Sequence, residues 1–146
     1  GGDGADTLEG GMGADTIVFD ANDAYIDGGS GLDTLLIEQS NLDFSALTDG
    51  TIANIEKLEL NANEAQTVSL SLDDVLDMTG TENVLQVAGG EGDEITFDIH
   101  GSSGEWTHEG SGLFTHANGI DQVQIVSVDD TENRIQMFTD DGTPIE

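Results

Sequence analysis

The sequence predicts an all-β protein in two parts: a short array of nine-residue repeats over residues 1–36, then a β-rich, sandwich-like domain over residues 37–146 with one short helix. Glycine-rich nonapeptides recur in register at the start of the chain, and apolar residues alternate with period two through the remainder. Clusters of Gly, Ser and Asp separate the alternating stretches, as turns do. Cysteine is absent, which excludes a disulfide framework and any thiolate metal site.

The repeat has the form Gly-Gly-x-Gly-x-Asp-x-(apolar)-x. It is complete at residues 1–9 (GGDGADTLE), 10–18 (GGMGADTIV) and 28–36 (GGSGLDTLL), whereas residues 19–27 (FDANDAYID) keep the length but not the glycines. The eighth position is apolar in all four units, namely Leu8, Ile17, Ile26 and Leu35. A flexible Gly/Asp linker has no reason to keep this spacing. We therefore expect stacked coils, each burying its apolar residue on the next.

The glycines of the repeat predict tight turns, because glycine accepts positive φ angles and lets the carbonyls turn inward. Two nonapeptides make one coil, so turns eighteen residues apart should stack, and the turn at 10–15 should lie on the turn at 28–33. Two such turns can wall a cage of about six to eight oxygens, the number that calcium prefers. A dinucleotide-binding glycine loop is a weaker interpretation, since that loop needs a strand–helix context and occurs once rather than in tandem.

These nonapeptides resemble the RTX (repeats-in-toxin) family over residues 1–36. The resemblance implies a parallel β-roll with calcium ions between stacked turns. It also implies that one turn gives its second and fourth carbonyls and its sixth-position carboxylate, and that the turn one coil later gives its first and third carbonyls and its own sixth-position carboxylate. The ligands implied for the best-defined site are Gly11, Gly13, Asp15, Gly28, Ser30 and Asp33.

The opposite side of the coil is less regular. There Gly2, Gly4 and Asp6 would face the degenerate turn at 19–24, in which alanine occupies the sixth position. Asp20 or Asp23 would have to substitute for the missing carboxylate. Asp3 and Asp27 are further candidates, and Asp27 has a second interpretation as a residue that only caps the turn.

The charge of the chain fits a cation-binding protein. The chain has thirty-one acidic residues and only two basic ones, Lys57 and Arg134, which gives a formal charge of −29. So much like charge opposes compaction and disfavours nucleic acid and anionic membranes as partners. Bound cations would relieve it, although general acidity for solubility is an interpretation that holds beside this one. No apolar stretch reaches the eighteen residues of a membrane span.

The remainder of the chain predicts structure rather than chemistry. Apolar alternation at Val68, Leu70 and Leu72 and at Ile95, Phe97 and Ile99 predicts strands, and Ser71 is placed to cap a helix over residues 72–78. The turn at 90–93 has its aspartate one place early for the repeat, so we expect an ordinary strand-linking turn. No Gly-x-Ser-x-Gly or His-Glu-x-x-His motif is present, and we expect no enzymatic activity.

Further stretches, at 17–36, 54–60, 72–76 and 83–87, resemble runs of large RTX adhesins. The function implied is a calcium-stabilised, secreted module of a type I-secreted adhesin at the cell surface of a Gram-negative bacterium. Its expected partners are calcium, neighbouring domains of the same longer chain, and a cell-surface or glycan target. Two alternatives stay open: the calcium-binding C-terminal region of a secreted RTX protease, lipase or toxin, and a module that binds sugar or peptide through calcium.

Overall fold

A computed structural model describes residues 1–60, 65–81, 83–90, 92–97, 105–110, 113–117, 122–127, 136–139 and 142–144. Over these ranges the chain is mainly β-strand with one short α-helix, as the sequence predicts. The strands are β1 (Thr7–Met12), β2 (Thr16–Val18), β3 (Tyr25–Ser30), β4 (Thr34–Ile37), β5 (Asn41–Asp43), β6 (Ile52–Ala53), β7 (Lys57–Leu60), β8 (Thr67–Leu70), β9 (Val84–Ala88), β10 (Glu94–Phe97), β11 (Glu105–Gly110), β12 (Leu113–Ala117), β13 (Gln122–Ser127) and β14 (Gln136–Thr139). Helix α1 spans Leu72–Thr79, and a 3-10 turn spans Phe44–Ala46. Within the same ranges no helix is both long and apolar enough to cross a bilayer.

The strands form three sheets in which consecutive strands of the chain mostly fall in different sheets. Their orders are β1-β3-β6, β14-β10-β8-β5 and β11-β12-β13-β9-β7-β4-β2. The named strands pair in parallel except for β11 with β12 and β12 with β13. The expected sandwich-like domain is therefore replaced by stacked, mainly parallel sheets. Apolar alternation fixes which face of a strand is buried, but it leaves the direction of the strand open.

The first two coils are aligned by the repeat. β1 pairs with β3 and β2 with β4, and each pair joins residues eighteen positions apart. The apolar residues of the repeat therefore stack as predicted, Leu8 on Ile26 and Ile17 on Leu35. Ile26 and Leu35 are fully buried, whereas Leu8 and Ile17 lie at the margin of the core.

The stacking continues beyond the repeats without a break in the sheet. β4 contains residue 36 and pairs with β7, and β7 pairs with β9. The strands place a continuous row of buried side chains in one core; its fully buried members include Ile37, Ile55, Leu58, Val68, Leu85, Val87, Ile95 and Phe97. Burial of a side chain of this size stabilises the fold by about 1.5–3 kcal/mol.

Helix α1 begins at the predicted cap and fixes a turn that matters for the site. Ser71 and Asp74 form a capping box, in which Asp74 N–H donates to Ser71 Oγ at 3.1 Å and Ser71 N–H donates to Asp74 Oδ2 at 2.7 Å. At the other end of the helix, the Met78 carbonyl accepts from Ile55 N–H at 2.9 Å. The helix thus holds the short turn between β6 and β7.

Candidate metal centre

The two complete turns, residues 10–15 and 28–33, lie one on the other. β1 and β3 bring the first halves of the turns into parallel register. In the second halves, Gly13 N–H donates to the Ser30 carbonyl at 2.8 Å. The turns are therefore in contact along their whole length, and the residues facing the gap between them define a single site, here named the repeat cage.

The glycines of the turn at 28–33, the lower turn, show where the carbonyls of the turn at 10–15, the upper turn, point. Gly29 and Gly31 have φ angles of 99° and 144°, which favour glycine. A Cβ on Gly29 would collide with the carbonyl oxygen of Gly11, and a Cβ on Gly31 would collide with that of Gly13. Both carbonyls therefore point from the upper turn into the repeat cage.

The lower turn contributes two carbonyls from the opposite direction. A Cβ on Gly10 would collide with the Gly28 carbonyl oxygen and would lie 3.1 Å from Asp15 Oδ2. The Ser30 carbonyl faces the same gap, since it accepts from Gly13 N–H. The structure thus brings together the four carbonyls that the RTX resemblance implies.

Two carboxylates complete the repeat cage. Asp33 is 0% exposed, and its Oδ1 accepts from Asp15 N–H at 2.8 Å. Asp15 Oδ2 and Asp33 Oδ2 are both buried and have no hydrogen-bond partner. A buried charge without a partner costs several kcal/mol, so these oxygens are positioned as a cation would require.

No basic side chain is free to neutralise these carboxylates within the part of the chain that the structure describes. Of the two basic residues, Arg134 lies outside the described residues, and Lys57 is engaged with another acid, its Nζ lying 2.9 Å from Glu59 Oε2. The repeat cage is therefore an oxygen-only site with net negative charge, and this donor set suits a hard divalent cation.

On the opposite side, the turn at 1–6 faces the degenerate turn at 19–24. Gly2 and Gly4 have φ angles of 124° and 125°, and the Asp6 carbonyl accepts from Ala24 N–H at 2.8 Å. The two turns therefore stack, although the lower one has lost its glycines.

Asp23 is the acid that the degenerate turn directs towards Asp6. A Cβ on Gly1 would lie 2.6 Å from Asp6 Oδ2 and 3.0 Å from Asp23 Oδ1, so the two carboxylates converge on one point. Asp23 is 6% exposed, and neither of its oxygens has a hydrogen-bond partner. We name this second group of residues the degenerate cage.

The carboxylates of Asp20 and Asp27 accept hydrogen bonds that stabilise turns. Asp20 Oδ1 accepts from the backbone N–H and the side-chain amide of Asn22, at 2.9 and 2.7 Å, and the backbone donor holds the pKa of Asp20 below its usual value. Asp27 accepts from Gly29 N–H at 3.0 Å and from the side-chain amide of Asn54 at 2.8 Å. Burial, followed by the charge of Asp27, raises the pKa of Tyr25, whose hydroxyl donates to the same carboxylate. Asp3 is exposed.

Gly90 and Asp93 lie between β9 and β10. Asp93 is 5% exposed and uses both oxygens, Oδ1 accepting from Gln66 N–H at 2.8 Å and Oδ2 from Gly90 N–H at 2.6 Å. Its carboxylate is satisfied by the backbone, in keeping with the strand-linking turn that the sequence predicts.

One carboxylate close to the repeat cage was missed by the sequence analysis. Glu56 Oε2 accepts from Asp33 N–H at 2.8 Å, just as Asp33 accepts from Asp15. The repeat motif ends at residue 36, so no spacing rule pointed to Glu56. Only the pairing of Thr34 with Lys57 places it one coil below Asp33.

Among the described residues, no group of three or more His, Asp or Glu side chains is placed to hold a metal ion. The ligands implied for the repeat cage are four carbonyls and two carboxylates, a set that does not depend on such a cluster. Comparisons with protein-family models, with curated proteins and with solved structures find no match for this chain.

Proposed function

We propose that this chain is a calcium-stabilised, non-enzymatic module in which the N-terminal coils form a short β-roll and calcium binds between its stacked turns. One observation carries the proposal. The buried, unpartnered Oδ2 of Asp15 faces the Gly28 carbonyl in a gap that the carbonyls of Gly11 and Gly13 also enter. With Ser30 and Asp33, the repeat cage offers six protein oxygens, within the range of about six to eight that calcium takes.

Calcium suits the repeat cage better than the common alternatives. Zinc prefers nitrogen and sulfur ligands in a tetrahedron, and the cage offers only oxygens. Magnesium demands near-ideal octahedral geometry and keeps several of its waters. Carbonyls fixed by backbone turns favour an ion that accepts irregular coordination and gives up its water more readily, which is calcium.

Ion binding would supply folding free energy to the coils that need it. The chain carries a formal charge of −29, and the carboxylates of the two cages lie close together without basic partners in the described residues. Without an ion, their repulsion opposes stacking of the turns. With one, the binding free energy becomes folding free energy.

This coupling fits a protein that is exported unfolded and folds outside the cell. Extracellular calcium modules bind with dissociation constants of about 10⁻⁴–10⁻³ M, which cytosolic calcium does not reach. We propose on this basis, and on the RTX resemblance, a secreted module of a type I-secreted adhesin at a Gram-negative cell surface, with neighbouring domains of the same chain and a surface or glycan target as its partners.

The test is a calcium titration followed by far-UV circular dichroism, from excess chelator to about 10 mM, tenfold above the weakest extracellular modules. Magnesium serves as the ion control. We expect a calcium-specific rise in β signal that Asp15→Asn weakens. Glu9→Gln is the matched control, because it removes one charge from an exposed position of β1. A wild-type spectrum that chelator and calcium leave unchanged would overturn the proposal.

A further inference from the structure

We propose that a further calcium ion binds one coil below the repeat cage, between the turn at 28–33 and the short turn at 54–56, where the repeats meet the remainder of the fold. Its ligands are the carboxylates of Asp33 and Glu56 and the carbonyls of Asn54, Gly29 and Gly31. We name this group the junction cage. The proposal rests on the proposed function, since it assigns the same ion to a site that the repeat pattern does not contain.

The two cages share a geometric rule. Asp15, Asp33 and Glu56 each immediately precede a strand of the same sheet, because β2 pairs with β4 and β4 with β7. In each step the lower carboxylate accepts from the backbone N–H of the acid above, Asp33 from Asp15 and Glu56 from Asp33, both at 2.8 Å. Glu56 thus stands to Asp33 as Asp33 stands to Asp15.

The carbonyl beneath the cage is repeated as well. In the repeat cage, the Gly28 carbonyl oxygen occupies the space where Gly10 would place a Cβ. In the junction cage, the Asn54 carbonyl oxygen occupies the space where Gly28 would place one, and the carboxyl carbon of Asp33 lies 3.0 Å from the same point. Asn54 therefore presents its carbonyl to the Asp33 carboxylate.

Asn54 is held in the conformation that this requires. Its φ of 53° lies in the left-handed region, which asparagine tolerates better than most residues. Its side-chain amide donates to Asp27 Oδ1 at 2.8 Å, and the next residue, Ile55, donates its N–H to Met78 in α1. The turn is fixed from both sides, so the carbonyl is preorganised.

An unpartnered buried oxygen points to a ligand here. Asp33 is 0% exposed, its Oδ1 accepts from Asp15 N–H, and its Oδ2, already counted for the repeat cage, has no hydrogen-bond partner, so the two proposed ions would share the Asp33 carboxylate. Gly29 and Gly31 repeat the positive φ angles of Gly11 and Gly13, which are 101° and 118°. We assign their carbonyls to the junction cage as the counterparts of the Gly11 and Gly13 carbonyls in the repeat cage.

The junction cage has one protein oxygen fewer than the repeat cage. The turn at 54–56 is shorter than the turn at 28–33, so nothing in it corresponds to the carbonyl of Ser30. An ion there keeps a water in the open position. We expect the junction cage to fill at higher calcium than the repeat cage.

The test counts calcium ions per chain by equilibrium dialysis, supported by native mass spectrometry, for the whole 146-residue chain and its Glu56→Gln variant. Glutamine keeps the acceptor for Asp33 N–H but removes the charge. We expect this variant to bind one ion fewer and the matched control Glu9→Gln to bind the wild-type number. Equal counts for wild type and Glu56→Gln, with calcium bound to both, would overturn the junction cage and leave the proposed function standing.

Two further outcomes keep the inferences apart. A wild-type chain that binds no calcium removes the proposed function and the junction cage together. If Glu56→Gln loses its β signal along with its ion, Glu56→Asp decides, since it keeps the charge on a shorter side chain. If Glu56→Asp binds the wild-type number of ions but the last ion binds more weakly, the junction cage is supported. If the last ion binds as tightly as in the wild type, the junction cage is overturned.

Discussion

Replacing Asp33 by asparagine should destabilise the fold when calcium is present but not when calcium is absent. Asparagine is close in shape to aspartate, and its Oδ1 can still accept from Asp15 N–H, the bond that measures 2.8 Å in the wild type. What the substitution removes is a negative charge on a fully buried side chain. That charge is unfavourable without a cation and essential with one.

The expected magnitude follows from linkage. One ion present at a hundred times its dissociation constant stabilises the folded state by about 2.7 kcal/mol. For a chain of about this length, 1 kcal/mol corresponds to roughly 2–4 °C in Tm. Asp33 is a proposed ligand in both the repeat cage and the junction cage, so Asp33→Asn should lower the Tm in saturating calcium by roughly 5–11 °C for each ion lost. In chelator, Asp33→Asn should melt no lower than wild type, because nothing that stabilised the calcium-free fold has been removed.

The assay is thermal unfolding followed by circular dichroism, with wild type, Asp33→Asn and Glu9→Gln each measured in chelator and in calcium. The quantity compared is the rise in Tm that calcium produces for each protein. Glu9→Gln should show the wild-type rise, because it changes the net charge equally at an exposed position. A wild-type rise in Asp33→Asn would refute the reasoning, since a ligand to the ion cannot lose its charge without weakening the ion's contribution.

Three other perturbations test the cages and the helix cap. Asp23→Asn should weaken one calcium-binding step in a dialysis titration, whereas Asp20→Asn should leave every step unchanged because its carboxylate is bound to Asn22; the reverse order would contradict the degenerate cage. Gly31→Ala should abolish the calcium-induced β signal, because a Cβ at Gly31 would collide with the neighbouring turn. Gly13→Ala should cost only the strain of a positive φ, about 1–3 kcal/mol, because a Cβ there meets nothing within 4 Å. Burial raises the pKa of Asp74, so its contribution to stability is favourable below the ordinary carboxyl range near pH 4 and is lost as pH rises through the raised value. In urea titrations without calcium, Asp74→Asn should accordingly be at least as stable as wild type at pH 7, with the difference shrinking towards pH 4.

The first two coils were predictable because their constraints are local and repeated. Glycines at fixed offsets need positive φ angles, and an apolar residue every nine positions must find a neighbour to bury against. Both requirements are readable without knowing the fold, so the stacking of Leu8 on Ile26 and of turn 10–15 on turn 28–33 followed from spacing.

The later sheets were less predictable. Alternation correctly marked the buried side chains of Val68, Leu70, Ile95 and Phe97, and Ser71 correctly marked a helix start. Leu72, the last residue of the first alternating stretch, begins α1, and Ile99 lies outside the described residues. The parallel pairing of β8 with β10 is a long-range contact between strands that no turn motif connects. A sequence pattern of period two is compatible with either strand direction, so the sandwich-like expectation could not be corrected from the pattern alone.

The candidate site was likewise predictable only in part. The repeat fixed the register of Asp15 and Asp33, but choosing between Asp20 and Asp23 needed a view of which side chain faces the gap. Glu56 was beyond reach for another reason. Glu56 follows Asp33 by twenty-three residues rather than eighteen, because the coil between them has a different length. A repeat of fixed eighteen-residue spacing therefore does not include Glu56, although strand pairing places it below Asp33 as it places Asp33 below Asp15.

The acids that immediately precede strands of the seven-stranded sheet, Asp15, Asp33 and Glu56, form a row that ends before β9. In the register of the seven-stranded sheet, Glu56 stands directly below Asp33, whereas Leu85 precedes the residue paired with Lys57 in the next coil and is fully buried. The first coil, by contrast, leaves Met12 91% exposed. Among the described residues, the buried carboxylate oxygens without a hydrogen-bond partner belong to Asp15, Asp23 and Asp33, although the second coil already buries Ile26 and Leu35 completely. We propose that bound ions offset the repulsion of these carboxylates, because unpartnered buried charge would otherwise oppose folding of the coils that carry it.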